Sequence, residues 1–230
     1  MKNKYYVYQM NLITLNISSI FLLLIVGLIC LLIDKDFVIN SIDYLFNGNN
    51  TIYFFLYYFI YIILHELLHS LSYVLYGAKF NKIEYGMEIE KGILYCLCKQ
   101  DISKKNILNS LFFPLFYIGI ITLFISYIVN SYMLFLLSVS NIVGCIGDII
   151  MFIFIVRLNK DVKFSECNDS TSFAIKSDKD ISDIKPFGLK YLGIKKELDR
   201  KMDKKINISK LSLIFILFII ISLIYILINH

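Results

Sequence analysis

The chain reads as an all-α polytopic membrane protein, a bundle of about five transmembrane helices with two small cytosolic β-hairpins. Three observations predict this class. Hydrophobic residues make up 58% of the 230 and charged residues 18%, with a mean hydropathy of +0.69, whereas soluble domains are about 45–50% apolar and about 25% charged. Apolar runs recur at 12–33, 51–76, 107–129, 132–156 and 210–229, each meeting the ~20 residues that cross a hydrocarbon core. Between them, 22 of the 23 Lys and Arg residues fall in the amino-terminal segment, the 77–106 loop and the 157–210 segment, which alternate spans place on one side.

The first run follows two lysines, as a signal peptide would, but its core is too long and no small-residue cleavage site follows it. It is expected to be a retained span. The 34–50 stretch reads as a loop with a single lysine, Lys35. The second span carries "YIILHELLHSLSYVLYG" (61–77). After it, "AKFNKIEYGMEIEKGILYCLCKQ" (78–100) alternates in part, with Gly86 and Gly92 as punctuation, and predicts a hairpin. The third span contains Pro114, which introduces a kink or is simply tolerated in lipid. A short turn at Asn130 and Ser131 leads into the fourth span. The 157–209 segment holds "VKFSECNDSTSFAIKSD" (162–178), two strand-like runs around a turn, and "GIKKELDRKMDKKIN" (193–207), expected as a solvated juxtamembrane helix. The fifth span closes the chain.

Because basic residues stay in the cytoplasm near membrane helices, the amino terminus is expected in the cytoplasm and the carboxyl terminus outside, in a multi-pass protein of the cell membrane. The net charge of +5 then sits beside anionic lipid and calls for no nucleic-acid partner. Five cysteines (Cys30, Cys96, Cys98, Cys145, Cys167) form neither a disulfide framework nor a zinc-ribbon pattern. The third histidine is His230, so no Ser/His/Asp set exists, and no phosphate-cradling Gly loop is present.

The chemistry lies in "HELLH". His65 and His69 differ by about 40° around a helix axis, so both imidazoles reach one ion. Zinc accepts neutral histidine nitrogens, and a catalytic site has three protein ligands and an open position for water. Glu66, beside them, is placed to take a proton from that water. HExxH alone also arises by chance in soluble helices. Inside an apolar span each ionisable group costs about 2.5–3.5 kcal/mol, and that cost favours the metal.

The same cost identifies a third ligand, because Asp148 is the only other acidic residue in the predicted spans. His69 stands eight residues before Gly77 and Asp148 nine before Arg157, so at ~1.5 Å per residue they lie at matching depth. Asn141, seven residues before Asp148, is rotated only about 20° from it. Its amide can orient substrate or stabilise an oxyanion, or can make an interhelical hydrogen bond. Cys145 shares that face and reads as a packing residue in the Gly144–Gly147 stretch, with ligation as the alternative. Glu84, Glu88 and Glu90 read as solvated strand positions, and Tyr73 and Tyr76 as interfacial anchors.

These residues carry a resemblance. "LHELLHSLSYVLYGAKF", "YCLCKQDIS", the span with Pro114, "NIVGCIGD" and the strand pair after it resemble a family of small bacterial membrane proteins catalogued as zincin peptidases, filed as a domain of unknown function. The chain is more distantly similar to site-2-protease-type intramembrane metalloproteases. That similarity implies His65, His69 and Asp148 as zinc ligands, Glu66 as base and Asn141 as a substrate-orienting amide. Unlike those proteases, this chain has no proline between Asn141 and Asp148, and Ile149 rather than Gly follows the Asp.

The expectation is a membrane-embedded zinc metalloprotease that cleaves a membrane protein or peptide substrate. The alternatives are a non-catalytic metal-dependent sensor or immunity-type factor and, less well, a metal transporter, which needs polar residues at several depths.

Overall fold

The computed structural model describes residues 4–88, 93–167, 171–184 and 186–198. Strand β1 (Lys4–Met10) leads directly into α1 (Leu12–Ile33). Asn11 caps that helix, its side chain accepting from the backbone N–H groups of Ile13 and Thr14, as polar N-cap residues do for otherwise orphaned donors. Asp34 ends α1 and caps α2 (Lys35–Phe46) by accepting from Phe37 N. Helix α3 (Asn50–Leu75) follows, and then a hairpin of β2 (Ile83–Glu88) and β3 (Ile93–Cys98). In that hairpin the ring of Tyr95 lies over Gly86, where any Cβ would collide with it.

After β4 (Ile102–Ser103), Ser103 caps α4 (Lys104–Pro114), which passes through a π-helical stretch (Leu115–Ile121) into α5 (Thr122–Ile128). Proline lacks the N–H that continues the α-helical ladder, and the register changes where Pro114 stands. Helices α6 (Tyr132–Gly144) and α7 (Ile146–Val156) meet at Cys145 with a bend of 43°. Strands β5 (Lys163–Glu166), β6 (Ser172–Ser177) and β7 (Leu189–Lys195) complete the described part.

Three helical stretches, Leu12–Ile33, Asn50–Leu75 and Lys104–Ile128, are long and apolar enough to cross a membrane, and the bent α6–α7 pair makes a fourth if it is one span. They coincide with the first four predicted runs. The fifth run, 210–229, lies outside the described residues, as does the predicted helix beyond residue 198. Ile13, Phe21, Leu24 and Leu32 on α1 are all more than half exposed, an apolar surface on a scale that calls for a non-aqueous neighbour.

The all-α expectation is corrected. Beside the helices stands an antiparallel five-stranded sheet in the order β4-β5-β6-β1-β7, separate from the two-stranded β2-β3 hairpin. The expected hairpin within 162–178 is present as β5 and β6, but β1 lies against its β6 edge. Residues 193–195, expected to open a helix, belong to β7 instead, paired with β1. Residues 35–46, expected as loop, form α2, which buries Phe37, Val38 and Ser41.

The sheet gathers the segment before α1, the loop before α4 and the segment after α7 at one end of the bundle. Tyr6 and Tyr8 of β1, Phe164 of β5, Phe173 and Ile175 of β6 and Phe154 and Ile155 of α7 form a core between sheet and helices. The Tyr8 ring meets Phe154 edge-on at 4.8 Å.

Candidate metal centre

His65 and His69 lie one turn apart on α3 and face inward, with side chains 13% and 8% exposed. Asp148 stands in the first turn of α7, just past the bend at Cys145. Its Oδ2 is 3.2 Å from His65 Nε2 and 3.4 Å from His69 Nε2. The two Nε2 atoms are 3.1 Å apart. The structure therefore brings together the three residues that the depth argument paired.

The other ring nitrogens determine what this triangle can do. His65 Nδ1 lies 3.1 Å from Asn141 Oδ1 and donates to it. His69 Nδ1 lies 3.0 Å from the Ser110 carbonyl oxygen and donates to that. With a proton on each Nδ1, both Nε2 atoms are bare lone pairs aimed at each other and at a carboxylate oxygen. Three acceptors at such distances repel unless a proton or a metal cation sits among them.

Tetrahedral zinc with ligand bonds of about 2.0–2.1 Å puts neighbouring donors about 3.3 Å apart, the size of this triangle. The residues present fit a zinc ion. Second-shell acceptors on histidine Nδ1 are the usual means of holding such rings in place.

Pro114 supplies one of those acceptors indirectly. A residue with an N–H at 114 would bond the Ser110 carbonyl four residues earlier; proline leaves it free, and His69 takes it. The Pro114 carbonyl accepts from Asn141 Nδ2 at 3.3 Å. Gly119, in the π-helical stretch, gives Asn141 and Ile142 their space, since a Cβ there would lie 2.9 Å from Ile142 Cγ1 and 3.4 Å from Asn141 Nδ2. Of the two readings of Asn141, these contacts match the interhelical hydrogen bond. From sequence Pro114 reads as a kink or as simply tolerated; its position four residues after Ser110 was the available signal.

Cys145 Sγ lies 3.9 Å from His65 Nδ1, on the side of the imidazole away from Asp148. His65, Cys145 and Asp148 also bring one donor atom each within 4.8 Å. The Nε2 triangle is the tighter set, and Cys145 serves the back of the ring.

The donors open onto a cavity of about 600 Å³, whose walls include Glu66, Tyr73, Cys96 and Glu166. Glu66 lines this space, its carboxylate on the side of the Cys96 backbone N–H. Glu84 and Glu88 are not among the cavity's walls, and Glu84 pairs with Lys99 at 3.6 Å. Glu90 lies outside the described residues.

Two further residues of the site were missed. Tyr73, expected as an interfacial anchor, is 3% exposed, stacks on His69 at 6.5 Å and donates to Glu166 Oε1 at 2.9 Å. Glu166, near the end of β5, also accepts from Cys98 N. Burial pushes its carboxyl up to about 7, against the lowering effect of those two hydrogen bonds. Burial likewise raises the Cys96 thiol, helped by Glu66 and Glu166 nearby, so it stays a neutral wall of the cavity. Neither Tyr73 nor Glu166 has a local sequence signal, because their contact joins residues that only the tertiary fold brings together.

Residues 58–163 match the family model described as "Putative zincin peptidase". No curated protein and no solved structure matches the chain. The more distant likeness to site-2 proteases thus rests on the motif residues alone.

Proposed function

We propose that this chain, whose residues 58–163 match the zincin peptidase model, is a metalloprotease embedded in the cell membrane that hydrolyses a peptide bond at or within the bilayer. The observation that carries the reading is the triangle of His65 Nε2, His69 Nε2 and Asp148 Oδ2, a donor set sized for zinc between helices apolar enough for lipid. Zinc bound there supplies a Lewis acid that polarises a carbonyl and brings the pKa of water toward ~7.

The chain's own residues supply the rest. Asn141 and the Ser110 carbonyl keep both imidazoles in the tautomer that presents Nε2. Glu66, on the cavity wall beside the donors, accepts the proton of the attacking water and passes it to the leaving amine, general acid–base work worth roughly 10²–10⁴-fold. Glu166 and Cys96 form the cavity's wall on the sheet side.

Orientation follows from charge. The three basic segments meet at the sheet end of the bundle, and basic flanks favour the cytoplasm, so that end faces the cytosol. The expected extracytoplasmic carboxyl terminus falls outside the described residues. The substrate class is a membrane protein or peptide.

The test is Glu66→Gln, assayed with mixed-sequence quenched-fluorescent peptides in detergent micelles. The variant is expected to keep its zinc and lose ~10²–10⁴-fold in turnover. Normal cleavage by the variant removes Glu66 as base. Zinc in both proteins, cleavage in neither and equal cellular effects of the two would favour a non-catalytic sensor instead.

A further inference from the structure

Strand β3 pairs with β2 along one edge, and Lys99 N just beyond it donates to Lys82 O on that same side. Backbone N–H groups alternate sides along a strand, so those of Cys98 and Cys96 point the other way. That outward edge is occupied: Cys98 N donates to the Glu166 carboxylate, and Cys96 N faces the Glu66 carboxylate. Two successive outward donors thus meet two carboxylates from different elements, one from α3 and one from β5.

Glu166 closes the circuit. Its second oxygen accepts from Tyr73, whose ring stacks on His69 one turn earlier in α3. Among the described residues the hairpin has no strand pairing with the five-stranded sheet. Its height over the donors is therefore set by packing and side-chain contacts, among them Glu166, itself fixed in the β5–β6 ladder opposite Phe173.

We propose that Glu166 is a positioning residue for the general base: by tying the edge of β3 to the metal helix it sets where that strand stands against Glu66 across the cavity. The role assigned to Glu66 rests on the hydrolase reading; the tether rests on the contacts alone. Glu166 is not a ligand, because both its oxygens are engaged by Tyr73 and Cys98.

The experiment compares Glu166→Ala with Glu166→Gln in the full-length protein. The alanine variant is expected to keep its zinc and its KM while kcat, read with the same fluorescent peptides, falls ~10–100-fold. The glutamine variant restores most of that loss, because its amide still offers an acceptor to Cys98 N–H and a donor toward Tyr73. In the metal-free protein, amide exchange across residues 93–98 is expected to quicken in the alanine variant and return toward wild type in the glutamine variant.

Unchanged kcat and exchange in the alanine variant overturn the proposal. So does a glutamine variant as impaired as alanine, which would assign the effect to charge, and so does loss of zinc, which would make Glu166 a ligand. Should Glu166→Ala fail to fold, Tyr73→Phe cuts one of the two bonds and is expected to show a smaller loss of kcat with the same change in exchange. A wild-type protein that binds zinc yet cleaves nothing ends the hydrolase reading, and the exchange comparison still judges the tether.

Discussion

Helices α1 and α3, 22 and 26 residues long, are both apolar enough to cross a membrane, yet they face their surroundings in opposite ways. Only Cys30 of α1 is buried, and its long side chains point outward nearly all round. Helix α3 buries Tyr61, His69, Ser70, Ser72 and Tyr73, and its polar atoms point toward α4, α6 and β5. Apolar length decides that a helix can sit in lipid; the inward polar stripe decides which helix does chemistry. In hydrocarbon a polar side chain must find a protein partner, so the stripe on α3 requires acceptors on its neighbours, whereas α1 requires only bulk.

The largest test of that contrast is Asp148→Ala, which removes the one donor not on α3. Metal analysis of the purified protein is expected to fall from about one equivalent of zinc to near none; retained zinc would mean that α3 binds it without α7.

Next is Pro114→Ala, which returns an N–H to the helix and lets it compete with His69 for the Ser110 carbonyl. Zinc affinity is expected to drop ~10–100-fold, as read by chelator competition, with the fold intact by circular dichroism.

A smaller effect comes from the sheet end. Burial raises the Glu166 carboxyl from 4.5 to about 7, so the folded protein keeps a proton there that the unfolded chain releases. Stability contributed by this group is present below pH about 4.5 and lost as pH rises to about 7, the sign required when the folded state binds more protons. Thermal midpoints measured across that window should decline in wild type and flatten in Glu166→Gln.

The smallest effect belongs to α1. Leu24, 62% exposed, should tolerate alanine with a change within about 0.5 kcal/mol and no change in zinc content. A large loss at Leu24 would mean that α1 has a protein partner where its surface now meets none.

The donor set was legible because ionisable groups inside apolar runs are costly enough to stand out singly, as His65, His69 and Asp148 do. The apolar helical stretches within the first four predicted runs were legible from length. What escaped were features whose cause lies far along the chain. Lys4–Met10 is a short run ahead of a span, and only its pairing with β6 and β7 makes it a strand. Helix α2 is too short and mixed to announce itself beside the longer apolar runs. Glu166 and Tyr73 read as a strand carboxylate and an interfacial aromatic until the fold joins them, and the value of Pro114 depends on which ring reaches the carbonyl it leaves open.

Strand β1 has a consequence for biosynthesis. It precedes every described helix, yet its ladder partners begin at Ser172 and Leu189, so it stays unpaired until those segments are made, and contacts of such long range form slowly. Until those partners emerge, Glu166 has no completed sheet behind it and the wall over the histidines is unfinished. A nascent chain halted after α7 would therefore hold its donors with the cavity unsealed, which couples maturation of the centre to the arrival of β6 and β7.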